Sequence, residues 1–146
     1  PAWSEEVLKF IILYFVVLRR NEFNEPMDGI VYGVTVSLGF ATYENYDYVF
    51  RLAELWEIDP YQMAIWRSYS AVPLHGLNGC VMGFYFGMYS FTANKKYLVL
   101  CLLIPFIIHG LYNFIGHPYH LTIIGMVTIY SIALLLLVNI LILFYS

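Results

Sequence analysis

Charge is what this sequence has least of. Seven Lys and Arg and ten Asp and Glu make up 12% of its 146 residues, about half the share usual in a soluble domain. That scarcity excludes an ordinary soluble fold. The net charge of −3, scattered along the chain, offers nucleic acid nothing to bind. Cysteine is nearly absent too. Cys80 and Cys101 both lie inside apolar runs, where a thiol packs as a small hydrophobe and reports nothing about redox compartment. There is no low-complexity segment and no internal repeat. Without an inverted repeat or a pair of broken helices, a small transporter or proton relay is disfavoured. Neither an initiator Met nor a basic leader region precedes Pro1-Ala2-Trp3. The sequence therefore reads as a core fragment of a longer chain, not as a signal peptide.

What fills the sequence is apolar. Hydrophobic residues make up 61%, and the mean hydropathy is +0.70, the composition of an integral membrane protein. Five apolar segments can be drawn: Trp3–Leu18, Asp28–Phe50, Met63–Phe91, Tyr97–Ile115 and Tyr119–Tyr145. The last four reach the approximately 20 residues that cross a 30 Å hydrocarbon core; the first is short and polar at its start. Between the second and third, "RLAELWEIDPYQ" reads as an amphipathic, acidic connection along the membrane interface. The expectation is a single membrane-embedded domain over residues 1–146, an all-α polytopic transmembrane bundle of about five spanning helices. With five spans, Arg19, Arg20, Lys95 and Lys96 share one side, and Arg51 and Arg67 lie on the other among Glu54, Glu57 and Asp59. The positive-inside rule places the first four in the cytoplasm.

The few ionisable residues inside these segments share one depth. Glu6 lies 12 residues before Leu18, Glu44 lies 16 after Asp28, His75 lies 16 before Phe91, and His109 lies 12 after Tyr97. At 1.5 Å per residue, all four stand about 18–24 Å from the cytoplasmic face, in the outer half of the membrane. A charged group at such depth costs a few kcal/mol on insertion scales, so four helices converging on one level point to a site. Taken singly, a buried histidine is more often a packing residue. Two imidazoles and a carboxylate are ordinary zinc ligands, and three such ligands with a water make an open catalytic centre. A further glutamate can then act as general base on the bound water.

The neighbourhood agrees. Pro73 lies two residues before His75, and Pro105 four before His109; proline frees backbone carbonyls and bends a spanning helix. Gly79, Gly83 and Gly87 form a small-residue ladder, as do Gly29 and Gly33, and both allow close helix approach. Asn113, four residues after His109, shares its helical face and can orient that ring or donate to an oxyanion. Lys9 reads as a structural ion-pair partner of Glu5 or Glu6. Adjacent helical residues point about 100° apart, so one of Glu5 and Glu6 is expected to face the cluster squarely. His117 and His120 flank Pro118 in a short loop and read as interfacial. Tyr43, Tyr46, Tyr48, Tyr112 and Tyr119 collect near the outer ends of spans like an aromatic belt.

Four stretches carry a resemblance: "EEVLKF" at Glu5–Phe10, "EPMDGIVYGVTVSLGFATYEN" at Glu25–Asn45, "PLHGLNGCVMGFYFG" at Pro73–Gly87 and "IIHGLYNF" at Ile107–Phe114. Together they resemble the PrsW family of intramembrane proteases, relatives of the type II CAAX-prenyl endopeptidases. The resemblance implies a CAAX-protease-like helical core in a bacterial inner or plasma membrane. It implies a site built from Glu5 and Glu6, the glutamate of Phe40-x-x-x-Glu44, His75 and His109. The expected roles are Glu44, His75 and His109 as metal ligands, with zinc the cofactor, and Glu5, Glu6 and Asn113 as catalytic groups. It implies proteolysis of a single-span membrane substrate of the anti-sigma-factor type, cut on the extracytoplasmic side. At Asn113 the family often has aspartate, while the CAAX-type relatives use asparagine. The alternative reading is a catalytically silent relative serving as an accessory or structural subunit of a membrane complex.

Overall fold

The computed structural model describes residues 2–115 and the isolated positions 131, 135 and 138. Apart from those three positions the expected fifth segment lies outside the described residues, as do His117, Tyr119 and His120. The described chain is all-α. Its α-helices are α1 (Ala2–Phe15), α2 (Pro26–Asp47), α3 (Ala53–Leu55), α4 (Pro60–Tyr69), α5 (Ala71–Thr92) and α6 (Lys95–Ile115). A 3₁₀ turn, Val17–Arg19, follows α1, and a π turn, Tyr48–Leu52, leads from α2 to α3.

Local chemistry sets the ends. At the start of α2, Asp28 accepts from the backbone N–H groups of Asn24 and Glu25, both at 2.9 Å, and Pro26 occupies the first turn. A proline there loses nothing, because its missing N–H has no intrahelical partner anyway. Asp59 caps α4 by accepting from the Gln62 N–H at 2.9 Å, with Pro60 next in line. Ala93, at φ 55°, turns the chain out of α5, and the Asn94 side chain accepts from the Lys96 N–H at 3.1 Å as α6 begins.

One expected segment is corrected. The run Met63–Phe91 is not one continuous helix: α4 ends at Tyr69 and α5 starts at Ala71, with Ser70 at φ −118°, ψ −76° between them. Pro73 explains the break, since it has no N–H for the Tyr69 carbonyl and its ring would strike that group in a straight helix. Nor is "RLAELWEIDPYQ" a plain connection, for the π turn, α3 and the start of α4 run through it. Among the described residues one helix, over Lys95–Phe114, is long and apolar enough to cross a membrane, with a mean hydropathy of 1.9. α1, at 14 residues, is too short to cross, and in α2 and α5 the charged residues, Asn78 and the glycines dilute hydropathy. These are the residues through which the helices meet.

The tightest seam joins α2 and α5. A Cβ on Gly79 would lie 2.7 Å from the Gly33 carbonyl oxygen and 2.8 Å from Val34 Cα, and Gly29, Gly33 and Gly83 are equally hemmed by facing backbone. Ser37 closes the seam by donating to the His75 carbonyl at 2.6 Å. Asn78 donates to the Pro105 carbonyl at 3.2 Å and the Cys101 thiol to the Met82 carbonyl at 3.3 Å, which fixes α5 against α6. Leu13, Val17, Met82, Phe86 and Cys101 form the main buried cluster at the other end of the bundle from the histidines. Cys101 is thus a packing residue, and Cys80 is a half-buried free thiol.

Candidate active site

Four helices deliver the ionisable residues to one place. From α1 come Glu5, Glu6 and Lys9; from the last turns of α2, Glu44; from the second turn of α5, His75; from α6, His109. Glu6, Lys9, His75 and His109 are all buried. The two imidazoles meet edge to face, with ring centroids 5.3 Å apart.

His109 is gripped from α1 on both nitrogens. Glu6 Oε1 lies 2.7 Å from Nδ1, and Glu5 Oε2 lies 3.6 Å from Nε2. This corrects the expectation that one of the two glutamates faces the cluster. Their Cα–Cβ bonds do diverge, but each side chain is long enough to curl back toward the same ring from either side.

His75 is bracketed as well. Lys9 Nζ lies 3.0 Å from its Nδ1 and 2.7 Å from Glu6 Oε1, while Glu44 Oε2 lies 3.0 Å from its Nε2. An ammonium can only donate, so Nδ1 presents its lone pair and the ring proton sits on Nε2, donated to Glu44. The Lys9 ammonium also stands 5.3 Å from the Phe40 ring centroid. Lys9 therefore pairs with Glu6, as one of the two expected partners, and in addition links the glutamate pair to the second histidine.

Sequence reasoning placed Arg67 among outer loop charges and missed its place here. From α4 it donates through Nη2 to Glu44 Oε2 and through Nε to Asn45 Oδ1, both at 2.6 Å, and its guanidinium lies 3.9 Å over the Tyr48 ring. The available signal was the adjacent pair Glu44-Asn45, two acceptors deep in an apolar run that call for a partner with several donors. Tyr43 and Tyr46 are exposed, as belt residues are, whereas Tyr112 packs half-buried beside Leu74 and Ile108. Asn113 is exposed one turn beyond His109 and makes no hydrogen bond to the cluster among the described residues.

A cavity of about 270 Å³ opens beside this cluster, lined by Glu5, Phe40, Tyr43, Glu44, Asp47, Tyr48 and Leu52. Glu5, His75 and His109 each offer a ligand atom, and these atoms lie within 4.8 Å of one another. The donor set fits a zinc-class divalent cation, being two imidazoles and a carboxylate. Glu6 Oε2, buried and without a hydrogen-bond partner among the described residues, adds an unused acceptor beside them. The nearest grouping thus includes Glu5 in the place expected for Glu44, which faces Arg67 and His75.

Comparisons with known proteins bear on this arrangement. A family model described as "PrsW family intramembrane metalloprotease" matches residues 1–143. The chain is 43% identical over 117 residues to Protease PrsW of Bacillus subtilis (strain 168), covering 78% of this chain and 50% of that protein. It is 42% identical over 116 residues to Protease PrsW of Geobacillus kaustophilus (strain HTA426), covering 78% and 48%. Against Protease PrsW of Clostridioides difficile (strain 630) the identity is 36% over 115 residues, covering 76% and 47%. The chain spans about half the length of these relatives. No solved structure matches it. With the family model matched over nearly its whole length, the chain belongs to the PrsW family of intramembrane metalloproteases.

Proposed function

We propose that this chain carries the catalytic centre of a membrane endopeptidase that hydrolyses a peptide bond in a single-span, membrane-anchored substrate. A membrane location follows from the family, and the apolar α6 agrees with it. The observation that carries the reading is the convergence of Glu5, His75 and His109 beside a cavity that Glu5 and Glu44 both line. A protein–protein or structural role gives no reason to bury a glutamate, a lysine and two histidines at one level. An anti-sigma-factor-type substrate, cut in the extracytoplasmic half, is the finer form of this proposal and rests on the family and on loop charge.

In this reading Glu5, His75 and His109 hold a divalent cation, which supplies an activated water and polarises the scissile carbonyl when bound. Glu6 accepts the Nδ1–H of His109 and so turns Nε2 toward Glu5 and the cavity, the carboxylate–histidine arrangement that orients ligands. To offer its Nε2 lone pair, His75 would take the tautomer with its proton on Nδ1, that proton coming from the Lys9 ammonium while the Nε2 proton leaves to solvent. Glu44, still ionised at the cavity wall, would then be the carboxylate that accepts a proton from the attacking water. Phe40, Tyr43, Tyr48 and Leu52 line the cavity beside these carboxylates and suit an apolar substrate side chain. Of the two roles foreseen for Asn113, orienting His109 is already filled by Glu6, which leaves donation to the substrate oxyanion.

The test is cleavage of a panel of single-span peptides by the chain in proteoliposomes. His75→Ala and His109→Ala are expected to abolish cleavage while the protein stays folded. Asn113→Ala is expected to lose about 10²–10³-fold, the usual cost of one oxyanion donor. Asn113→Asp is expected to lose as much, because an ionised carboxylate cannot donate. Cleavage that survives both histidine substitutions refutes the catalytic assignment. A parent protein that cleaves nothing, with substitutions altering only assembly, favours an accessory subunit.

A further inference from the structure

Arg67 lies outside every motif that marks the site, yet it is buried and engaged on three sides. We propose that Arg67 is a positioning residue, reaching from α4 to the end of α2 to hold the Glu44 carboxylate on the Nε2 edge of His75. The proposal rests on the reading above that Glu44 and His75 work in one site.

Glu44 needs such a hold. It lines the cavity and its side chain keeps 18% of its surface exposed, so rotation toward the cavity would solvate it and part it from His75. Asp47, one turn further along α2, repels it on the same side. Arg67 donates to Oε2, the same oxygen that faces His75 Nε2. One oxygen held between two donors has one place to be. Asp47 does not compete for Arg67, because Arg51 takes both of its oxygens at 2.5 and 2.7 Å.

The guanidinium is itself fixed. Asn45 Oδ1 accepts from Nε, which sets the amide with its oxygen toward Arg67, and the Tyr48 ring supports the flat face. Tyr48 begins the π turn, and such local widenings recur where a side chain must be re-aimed at a functional site. The break at Ser70 does the rest: it frees α4 from the line of α5 so that Met63 and Arg67 turn inward together. Lysine cannot replace this fork, for it offers a point charge and no planar pair of donors.

The experiment is residue-resolved acylation of the full chain in lipid nanodiscs with diethyl pyrocarbonate, read by mass spectrometry at His75 and His109. Arg67→Gln is expected to raise the His75 rate about tenfold, within what a hydrogen bond to a charged group contributes, while His109 keeps its parent rate. Glu44→Ala is expected to match it, and the double substitution to add nothing. Arg67→Lys is expected to restore only part of the protection. If Arg67→Gln fails to fold, Asn45→Ala removes one support alone and should still raise His75 selectively. His75 and His109 rising together would make Arg67 a staple between helices and overturn the proposal. So would a His75 rate that does not move. A parent that cleaves no substrate counts against the protease reading and leaves this footprint as it is.

Discussion

Gly79→Ala tests the seam on which the site depends. The added Cβ would stand 2.7 Å from the Gly33 carbonyl oxygen, 2.8 Å from Val34 Cα and 2.8 Å from Ser37 Cβ. The first two are backbone atoms and cannot swing aside. Carbon contacts become comfortable near 3.5 Å, so α2 and α5 must part by about 0.7 Å. That movement falls one helical turn from His75, whose carbonyl accepts from Ser37 at 2.6 Å and whose Nε2 lies 3.0 Å from Glu44. Both contacts lengthen to or beyond the limit of a hydrogen bond. Overpacking of this kind costs about 1–3 kcal/mol, against which alanine recovers about 1 kcal/mol of helix propensity. The expected result is a melting temperature several degrees below the parent in detergent, followed by tryptophan fluorescence, with loss of any cleavage activity. Gly39→Ala is the control: it lies on the same seam-forming α2 but its Cβ would meet nothing within 4 Å. It should melt at or above the parent. A Gly79→Ala protein that melts as high as Gly39→Ala would refute the close approach of α2 and α5.

Two further outcomes are expected. Lys9→Met leaves Glu6 as an uncompensated buried charge and should cost about 3–5 kcal/mol in chemical denaturation, with Glu6→Gln added to it recovering part of the loss; a cost near zero would show that the pair is solvated. In a background with Cys80 and Cys101 replaced by alanine, Asn94→Cys should label from the cytoplasm and Asp59→Cys from outside, and reversed labelling would move the site to the cytoplasmic half.

Much of the site was legible because a helix in an apolar run has few ways to explain an ionisable residue. Depth along each helix is simply a count of residues, so Glu6, Glu44, His75 and His109 could be set at one level before any packing was known. The ladder of Gly79, Gly83 and Gly87 likewise announced a close helix contact, and Gly29 and Gly33 are the backbone it meets. What the count could not see was the break at Ser70. Met63, Ala64, Ile65 and Trp66 are as apolar as a span, and the residue that stops the helix, Pro73, acts on a carbonyl four positions upstream. With α4 read as part of one long helix, Arg67 had no route back to Glu44.

Partner choice inside the cluster was hidden for a different reason. Helical geometry fixes where a Cβ points, but the groups that meet here sit three to six bonds beyond it. Glu5 and Glu6 diverge at their Cβ atoms and still close on the two nitrogens of His109. Lys9 sits at the right spacing for Glu6 and also spans to His75 on another helix. These choices are settled by charge balance once water is excluded. Glu6 has Lys9, and Glu44 has Arg67, each beside a histidine. Glu5 lies 3.6 Å from His109 Nε2 and lines the cavity. Glu6 is taken up by Lys9 and His109 Nδ1, whereas Glu5 lines the cavity with a ligand atom within 4.8 Å of those of His75 and His109, a distinction that spacing alone could not make: Glu5, and not Glu6, should be the α1 carboxylate whose removal weakens binding of a divalent metal.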